Sequence, residues 1–143
     1  MKLNRFTDYG LRVLMYIATK EQNAPTITEL SEKFNISRNH LVKVVQFLSA
    51  QKVLTTKRGP GGGLYLSKPA DQIRIGTLIN LLEKNEPLIS CQEPACFLEG
   101  NCMLKWVTDH AYQEFIKILD NYSIKDVTGG KTGLLIHELI KNE

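Results

Sequence analysis

The sequence predicts a mainly α-helical fold carrying one small β-wing, and three observations predict it. Apolar residues recur at steps of three and four along most of the chain, the period of helices buried on one side. Two short strand-like runs, Val53-Leu54-Thr55-Thr56 and Gly63-Leu64-Tyr65-Leu66, flank a glycine-rich loop. A length of 143 residues with 43% hydrophobic content provides one modest core, or one small domain with an extension.

The first helical pattern runs from about Thr7 to Lys20. Thr7 is placed as its N-cap, Asp8 suits the first turn, and Val13, Leu14, Ile17 and Ala18 form an apolar stripe. Glu21-Gln22-Asn23-Ala24-Pro25 breaks the pattern. Thr26, with Glu29 three residues later, is a capping-box signature for a short second helix with Ile27, Leu30 and Phe34 inward. Asn35-Ile36 makes a turn, and Ser37 can cap a third helix. Its inner side is Leu41, Val44, Val45 and Leu48, which leaves Arg38, Asn39, His40, Lys43 and Gln46 for the outer side. Two short helices around a tight turn, the second polar on its outer face, meet the requirements of a helix-turn-helix.

Lys57-Arg58-Gly59-Pro60-Gly61-Gly62 joins the two strand-like runs. Glycine allows backbone conformations and close approaches that a side chain prevents. Such a wing, with basic Lys57 and Arg58 and the glycines Gly61, Gly62 and Gly63, can border a minor groove while Ser37 to Lys43 addresses the major groove. A phosphate-cradling loop is a weak competitor, because neither Gly-x-Gly-x-x-Gly nor a Gly-Lys-Ser/Thr ending is present. A hairpin without any nucleic-acid contact is the plainer alternative.

Beyond Pro69, Ile73-Arg74-Ile75-Gly76 leads into a short helix with Leu78, Ile79, Leu81 and Leu82, closed by Pro87. From Met103 a longer helix carries Leu104, Val107, Ala111, Phe115, Ile118 and Tyr122, and also Trp106, Tyr112, Ile116 and Leu119. That apolar surface is broader than one small domain uses. Two copies packed along this helix would bury the excess and set two reading heads on a two-fold axis; packing against the chain's own head is the simpler use. The expected organisation is a winged helix-turn-helix at 1–75, a connecting helix and cysteine loop at 76–102, a dimerisation helix at 103–125 and a tail at 126–143. The tail, with Gly129-Gly130 before a helical run at 134–140, is assigned no chemistry.

Charge is divided unevenly. Residues 1–75 hold 12 Lys/Arg against 5 Asp/Glu, and residues 76–143 hold 6 against 10. The first half therefore has the sign of a nucleic-acid surface, although a merely solvated basic face would count the same. Apolar stretches are interrupted by Arg12, Lys84 or Lys105 well short of the roughly 20 residues that span a bilayer. The first residues do not read as a secretory signal, so a cytoplasmic location without membrane attachment is expected.

The three cysteines stand at Cys91-x₄-Cys96-x₅-Cys102. Three cannot all pair within one chain, and a reducing cytosol disfavours disulfides, so they read as ligands or reactive thiols. Thiolates are soft ligands suited to an iron–sulfur cluster, and the turn-prone spacers can wrap one. Zinc held by Cys91, Cys96, Cys102 and His110 is an alternative, although a helical spacer before His110 makes that set awkward. A ligand-free thiol sensor is another. An enzyme is not expected, since nothing sets His40 or His110 beside a nucleophile and a substrate cleft.

Phe6-Thr7-Asp8-Tyr9, Ser37-Arg38-Asn39-His40, Gly61-Gly62-Gly63, Ile73-Arg74-Ile75-Gly76 and the three cysteines together resemble the NsrR/IscR family of iron–sulfur winged-helix repressors, over about residues 1–125. Within it the similarity is greatest to the NsrR branch, which senses nitric oxide. The resemblance implies a homodimer that binds palindromic double-stranded operator DNA and releases it when nitric oxide damages the cluster. It also implies a 4Fe-4S cluster, with 2Fe-2S as the other form, and a fourth ligand, Asp8, from the first helix of the second subunit. Arg12, one turn on, would orient or balance that carboxylate. The IscR branch is similar to a pattern with histidine three residues after the last cysteine, where this chain has Lys105. Iron supply and redox change are the other signals such a site could read.

Overall fold

A computed structural model describes residues 2–142; Met1 and Glu143, the outer ends of the expected 1–75 and 126–143 segments, lie outside the described residues. The elements in order are α1 (Arg5–Thr19), α2 (Ile27–Phe34), α3 (Arg38–Ala50), β1 (Leu54–Lys57), β2 (Gly63–Leu66), a 3-10 turn (Ala70–Gln72), α4 (Ile75–Leu82), α5 (Met103–Leu119), α6 (Ile124–Val127) and α7 (Gly130–Lys141). The expected winged helix-turn-helix, mainly α with a two-stranded antiparallel wing, is what forms.

The helix α1 starts earlier than Thr7. Asn4 is its N-cap, accepting the Thr7 N–H on Oδ1 at 2.8 Å. Thr7 is fully buried within the helix and its hydroxyl has no partner among the described residues, so it packs rather than caps. The same Asn4 reaches α4: its N–H donates to Glu83 Oε1 and its Nδ2 to Glu83 Oε2, each at 3.0 Å.

The capping box expected for α2 is half made. Thr26 accepts from the Glu29 N–H at 3.2 Å, but the Glu29 carboxylate turns to α1, where it accepts from the Tyr16 hydroxyl at 2.6 Å and pairs with Lys20. Asn35 closes α2 at φ 52, the left-handed conformation that asparagine tolerates. Ser37 then caps α3 through the His40 N–H. Leu41, Val44, Val45 and Leu48 are buried against Val13, Leu14, Tyr16, Leu30 and Leu54 in one continuous core.

In the wing, Leu54 lies opposite Leu66 and Lys57 opposite Gly63. Gly63 adopts φ 147, and a Cβ there would come within 2.7 Å of Ala24, so the hairpin base rests against the loop before α2. The Leu64 N–H donates to the Pro25 carbonyl at 2.9 Å and fixes the same contact.

The helix α4 ends at Leu82, before Pro87, with Lys84 and Asn85 both at positive φ. It crosses α5 so tightly that a Cβ on Gly76 would lie 2.1 Å from the Ile116 carbonyl oxygen. The long helix stops at Leu119 rather than running towards 125, and Asp120 to Tyr122 turn the chain back. There Ile75 N–H bonds to the Tyr122 carbonyl and Ile124 N–H to the Ile73 carbonyl, both at 2.9 Å.

Residues 126–143 are more than a tail. They include α7, whose Ile136, Leu139 and Ile140 pack against the core. Lys33 donates to the Asn142 carbonyl at 2.6 Å, which fastens the end of the chain to α2.

Candidate functional site

Ser37, Arg38, Asn39, His40, Lys43 and Gln46 are all exposed at the start and along the outer side of α3. The apolar stripe below them turns the helix so, and Asn39, Lys43 and Gln46 follow one another at steps of four and three on one face. None of Arg38, Lys43 or Arg58 is ion-paired among the described residues. Their charge is therefore available to an outside anion. Behind this surface α1 supports α3: the Phe6 and Phe47 rings meet edge to face at 5.4 Å, and Tyr9 lies 6.1 Å from the His40 ring.

Lys57 and Arg58 are exposed on the wing, with the Lys57 ammonium 4.6 Å above the Tyr65 ring. The Tyr65 hydroxyl in turn donates to the Gly61 carbonyl at 2.7 Å, which stiffens the loop. The three glycines have separate reasons. Gly61, at φ 71 and with open space around it, presents bare backbone, whereas a Cβ on Gly62 would strike the Gly59 and Lys57 carbonyls at 2.7 Å. Gly62 and Gly63 thus have packing roles of their own.

Cys91 is buried, and Cys96 and Cys102 are half-buried. The loop is a succession of turns: Cys96 N–H bonds to the Cys91 carbonyl at 2.9 Å, Glu99 N–H to the Cys96 carbonyl at 3.1 Å, and Cys102 precedes α5. Burial pushes the Cys91 thiol up from its ordinary range, the charge of Cys96 adds to this, Lys105 opposes it, and Cys102 and Glu99 add again. The compensating positive charge at Cys91 is Lys105. Its own pKa is held up by a 2.6 Å bond to Asp109, with smaller contributions from Cys91 and Cys102. A cavity of about 460 Å³ opens beside them, lined in part by Glu86, Pro87, Cys91, Glu99 and Lys105.

No three His, Cys, Asp or Glu side chains converge as a metal-holding group among the described residues. The donor chemistry nevertheless suits a soft-metal cluster, since three cysteine sulfurs on one loop are soft donors and a positive neighbour, Lys105, is already present. Asp8 is half-exposed on α1 and bonded to Arg12 Nε at 2.9 Å, with no hydrogen bond to the cysteine loop among the described residues. His110 stacks on Trp106 at 5.4 Å on the exposed side of α5 and belongs to no metal-holding group.

Sequence reading missed Glu83 and Asn4. Asn4 carries an N-cap signal three residues ahead of Thr7, but its partner is 79 residues away, and no local pattern reveals that.

The family model for Rrf2, described as an iron-dependent transcriptional regulator, matches residues 3–130. The chain belongs to the Rrf2 family. Solved structures agree with the assignment of fold. Oxidised CymR of Staphylococcus aureus is similar at a TM-score of 0.71 and 24% identity, over 91% of this chain and 98% of that one. CymR, the global cysteine regulator of B. subtilis, is similar at 0.71 and 22%, over 89% and 95%. IscR of T. potens is similar at 0.69 and 19%, over 89% and 85%. As an Rrf2 protein the chain is a transcriptional regulator, and the winged-helix fold implied by the resemblance is borne out.

Proposed function

We propose that this Rrf2 protein is a homodimeric iron–sulfur repressor that holds palindromic operator DNA and releases it when nitric oxide damages the cluster. The observation that carries the reading is the turn-rich loop that holds Cys91 buried and Cys96 and Cys102 half-buried ahead of α5, in a chain whose α3 presents basic residues without an ion-pair partner among the described residues. Cys91, Cys96 and Cys102 would hold the cluster, with Asp8 of the second copy as fourth ligand and Arg12 orienting it. When bound, the cluster supplies the chemistry that nitric oxide attacks. Preference for 4Fe-4S over 2Fe-2S rests on the resemblance to the NsrR branch.

The chain's own residues have distinct tasks. Arg38, Lys43, Lys57 and Arg58 neutralise phosphates; Ser37 and His40 sit at the helix start facing the backbone; Asn39 and Gln46 offer paired donor and acceptor groups to base edges. Gly61, with Gly62 and Gly63 shaping the turn, lets the wing approach a groove. On α5, Met103, Leu104, Trp106, Val107 and Ile118 are exposed, apolar surface that a second copy would cover. No described helix is long and apolar enough to cross a membrane, in keeping with a regulator that works on DNA in the cytoplasm.

One observation favours a second reading. Because the three thiols do not converge as a metal site among the described residues, a regulator that responds through ligand-free thiols fits the same loop. Zinc with His110 fits less well, given the ring stacked on Trp106.

The test is an anaerobic operator titration of cluster-loaded protein, then stoichiometric nitric oxide in the same sample while cluster absorbance is followed. Absorbance and affinity should fall together, and a tenfold loss of affinity needs only about 1.4 kcal/mol of differential stabilisation. Loss of absorbance at unchanged affinity would overturn the coupling. Release on iron removal alone would favour iron supply as the signal.

A further inference from the structure

Glu83 stands where three elements meet. It is the residue after α4, its two carboxylate oxygens accept both donors of Asn4 at the start of α1, and its charge is felt by Tyr112 on α5. Three and four residues beyond it, Glu86 and Pro87 line the cavity beside Cys91. The intervening Lys84 and Asn85 are both left-handed, so the chain leaves α4 in a tight reversal in which a movement of the loop would act on Glu83.

On the other side of the contact, Asn4 caps α1. The first turns of that helix carry Phe6 against Phe47 and Tyr9 near His40, both partners lying on α3. The helix α1 also has little freedom to slip against α4, since a Cβ on Gly10 would meet Leu82 at 2.9 Å. A displacement at Glu83 is thus passed to the start of α1 as a whole, and from there to α3.

We propose that Glu83 is a positioning residue: its two-bond clamp on Asn4 transmits the state of the loop at 84–102 through α1 to the recognition helix. The proposal rests on the regulatory reading above and adds to it the residue through which the loop and α3 are coupled. A carboxylate suits the task because both Asn4 groups are donors, so two acceptors are needed and an amide offers one. Glu83 lies outside the residues assigned above to the cluster and to DNA.

The test compares native protein with Glu83→Ala, Glu83→Gln and Asn4→Ser, the last keeping a capping oxygen while losing the amide arm. Each is measured for operator affinity in cluster-loaded and cluster-free forms, for cluster absorbance, and for amide exchange over residues 38–47. Glu83→Ala should bring the ratio of the two affinities to within about twofold of one, with cluster absorbance unchanged, and Glu83→Gln and Asn4→Ser should fall between it and native protein. A native-like ratio in Glu83→Ala overturns the clamp and leaves the proposed function intact. A ratio of one in native protein overturns the proposed function instead. Amide exchange then decides on the clamp separately: faster exchange over 38–47 in Glu83→Ala supports the mechanical link, and unchanged exchange refutes it.

Discussion

Asp120 caps a helix to which it does not belong. Its Oδ1 accepts the Thr77 N–H at 2.6 Å and its Oδ2 the Thr77 hydroxyl at 3.0 Å, which satisfies the N-terminus of α4 where Arg74, in the N-cap position, offers no side-chain acceptor. The end of α5 is thereby fixed against the start of α4, one turn from the place where Gly76 meets Ile116.

Gly76→Ala should be among the most damaging single-methyl changes in the chain. The added Cβ would sit 2.1 Å from the Ile116 carbonyl oxygen, and that backbone atom has no side-chain freedom with which to yield. Relief requires α4 and α5 to part, so overpacking of about 1–3 kcal/mol or more is expected. Asp120→Ala should cost less, about 1 kcal/mol, through the lost cap. Urea unfolding of both variants checks the order; equal stability of Gly76→Ala and native protein would contradict the crossing geometry.

Acid should weaken the join between α1 and α2. Burial alone would raise the Glu29 pKa, but the hydrogen bonds from Lys20 and Tyr16 and the charge of Lys20 together outweigh it, and the carboxyl is held below its ordinary value of 4.5. A group depressed in the folded state contributes stability that is present above its unfolded pKa and lost as pH falls through the folded one. Native protein should therefore lose this increment below pH 4.5, and Glu29→Gln should show a flatter acid limb in thermal melts over that range. Parallel limbs in the two proteins would remove Glu29 from the account.

The helix-turn-helix is legible in the sequence because its determinants are local. Thr26 and Ser37 cap within three residues, Asn35 turns at a single position, and Leu41, Val44, Val45 and Leu48 mark one face of one helix. The errors fall where a side chain has two possible partners. Glu29 completes a capping box on paper, yet Tyr16 of α1 and Lys20 just after it claim its carboxylate. Thr7 has a capping side chain, but Asn4 precedes it and the core takes Thr7 instead. The segment at 126–143 looked idle because Ile136, Leu139 and Ile140 find their partners only in the folded head. Glu83 and Asp120 were illegible for the same reason, their partners lying 79 and 43 residues away.

Substitutions on the reading surface should separate by role. Lys43 is exposed and has no ion pair among the described residues, so Lys43→Ala should weaken many duplexes alike and lower the salt slope by about one unit. Arg58→Ala on the wing should act in the same way. Asn39→Ala removes a donor and acceptor pair able to read an adenine edge, and should cost about 1–3 kcal/mol on the operator but little on unrelated DNA. Fluorescence anisotropy across a salt series checks this, and identical losses on every duplex from all three changes would contradict the division.

Asp8→Ala tests the cluster ligand apart from the fold. The carboxylate and Arg12 form an exposed pair one turn apart in the first turns of α1, and such a pair together with its helix-dipole benefit contributes about 1 kcal/mol or less. Cluster-free Asp8→Ala should therefore melt close to native protein. If Asp8 completes the ligand set of the second copy, the loaded variant should show altered cluster absorbance and a shortened lifetime. Arg12→Ala, which keeps the carboxylate but frees its orientation, should produce a smaller change of the same kind. A cluster that forms, absorbs and decays identically in Asp8→Ala would exclude the carboxylate as ligand and leave solvent, or another side chain beside the three thiols, as the fourth donor.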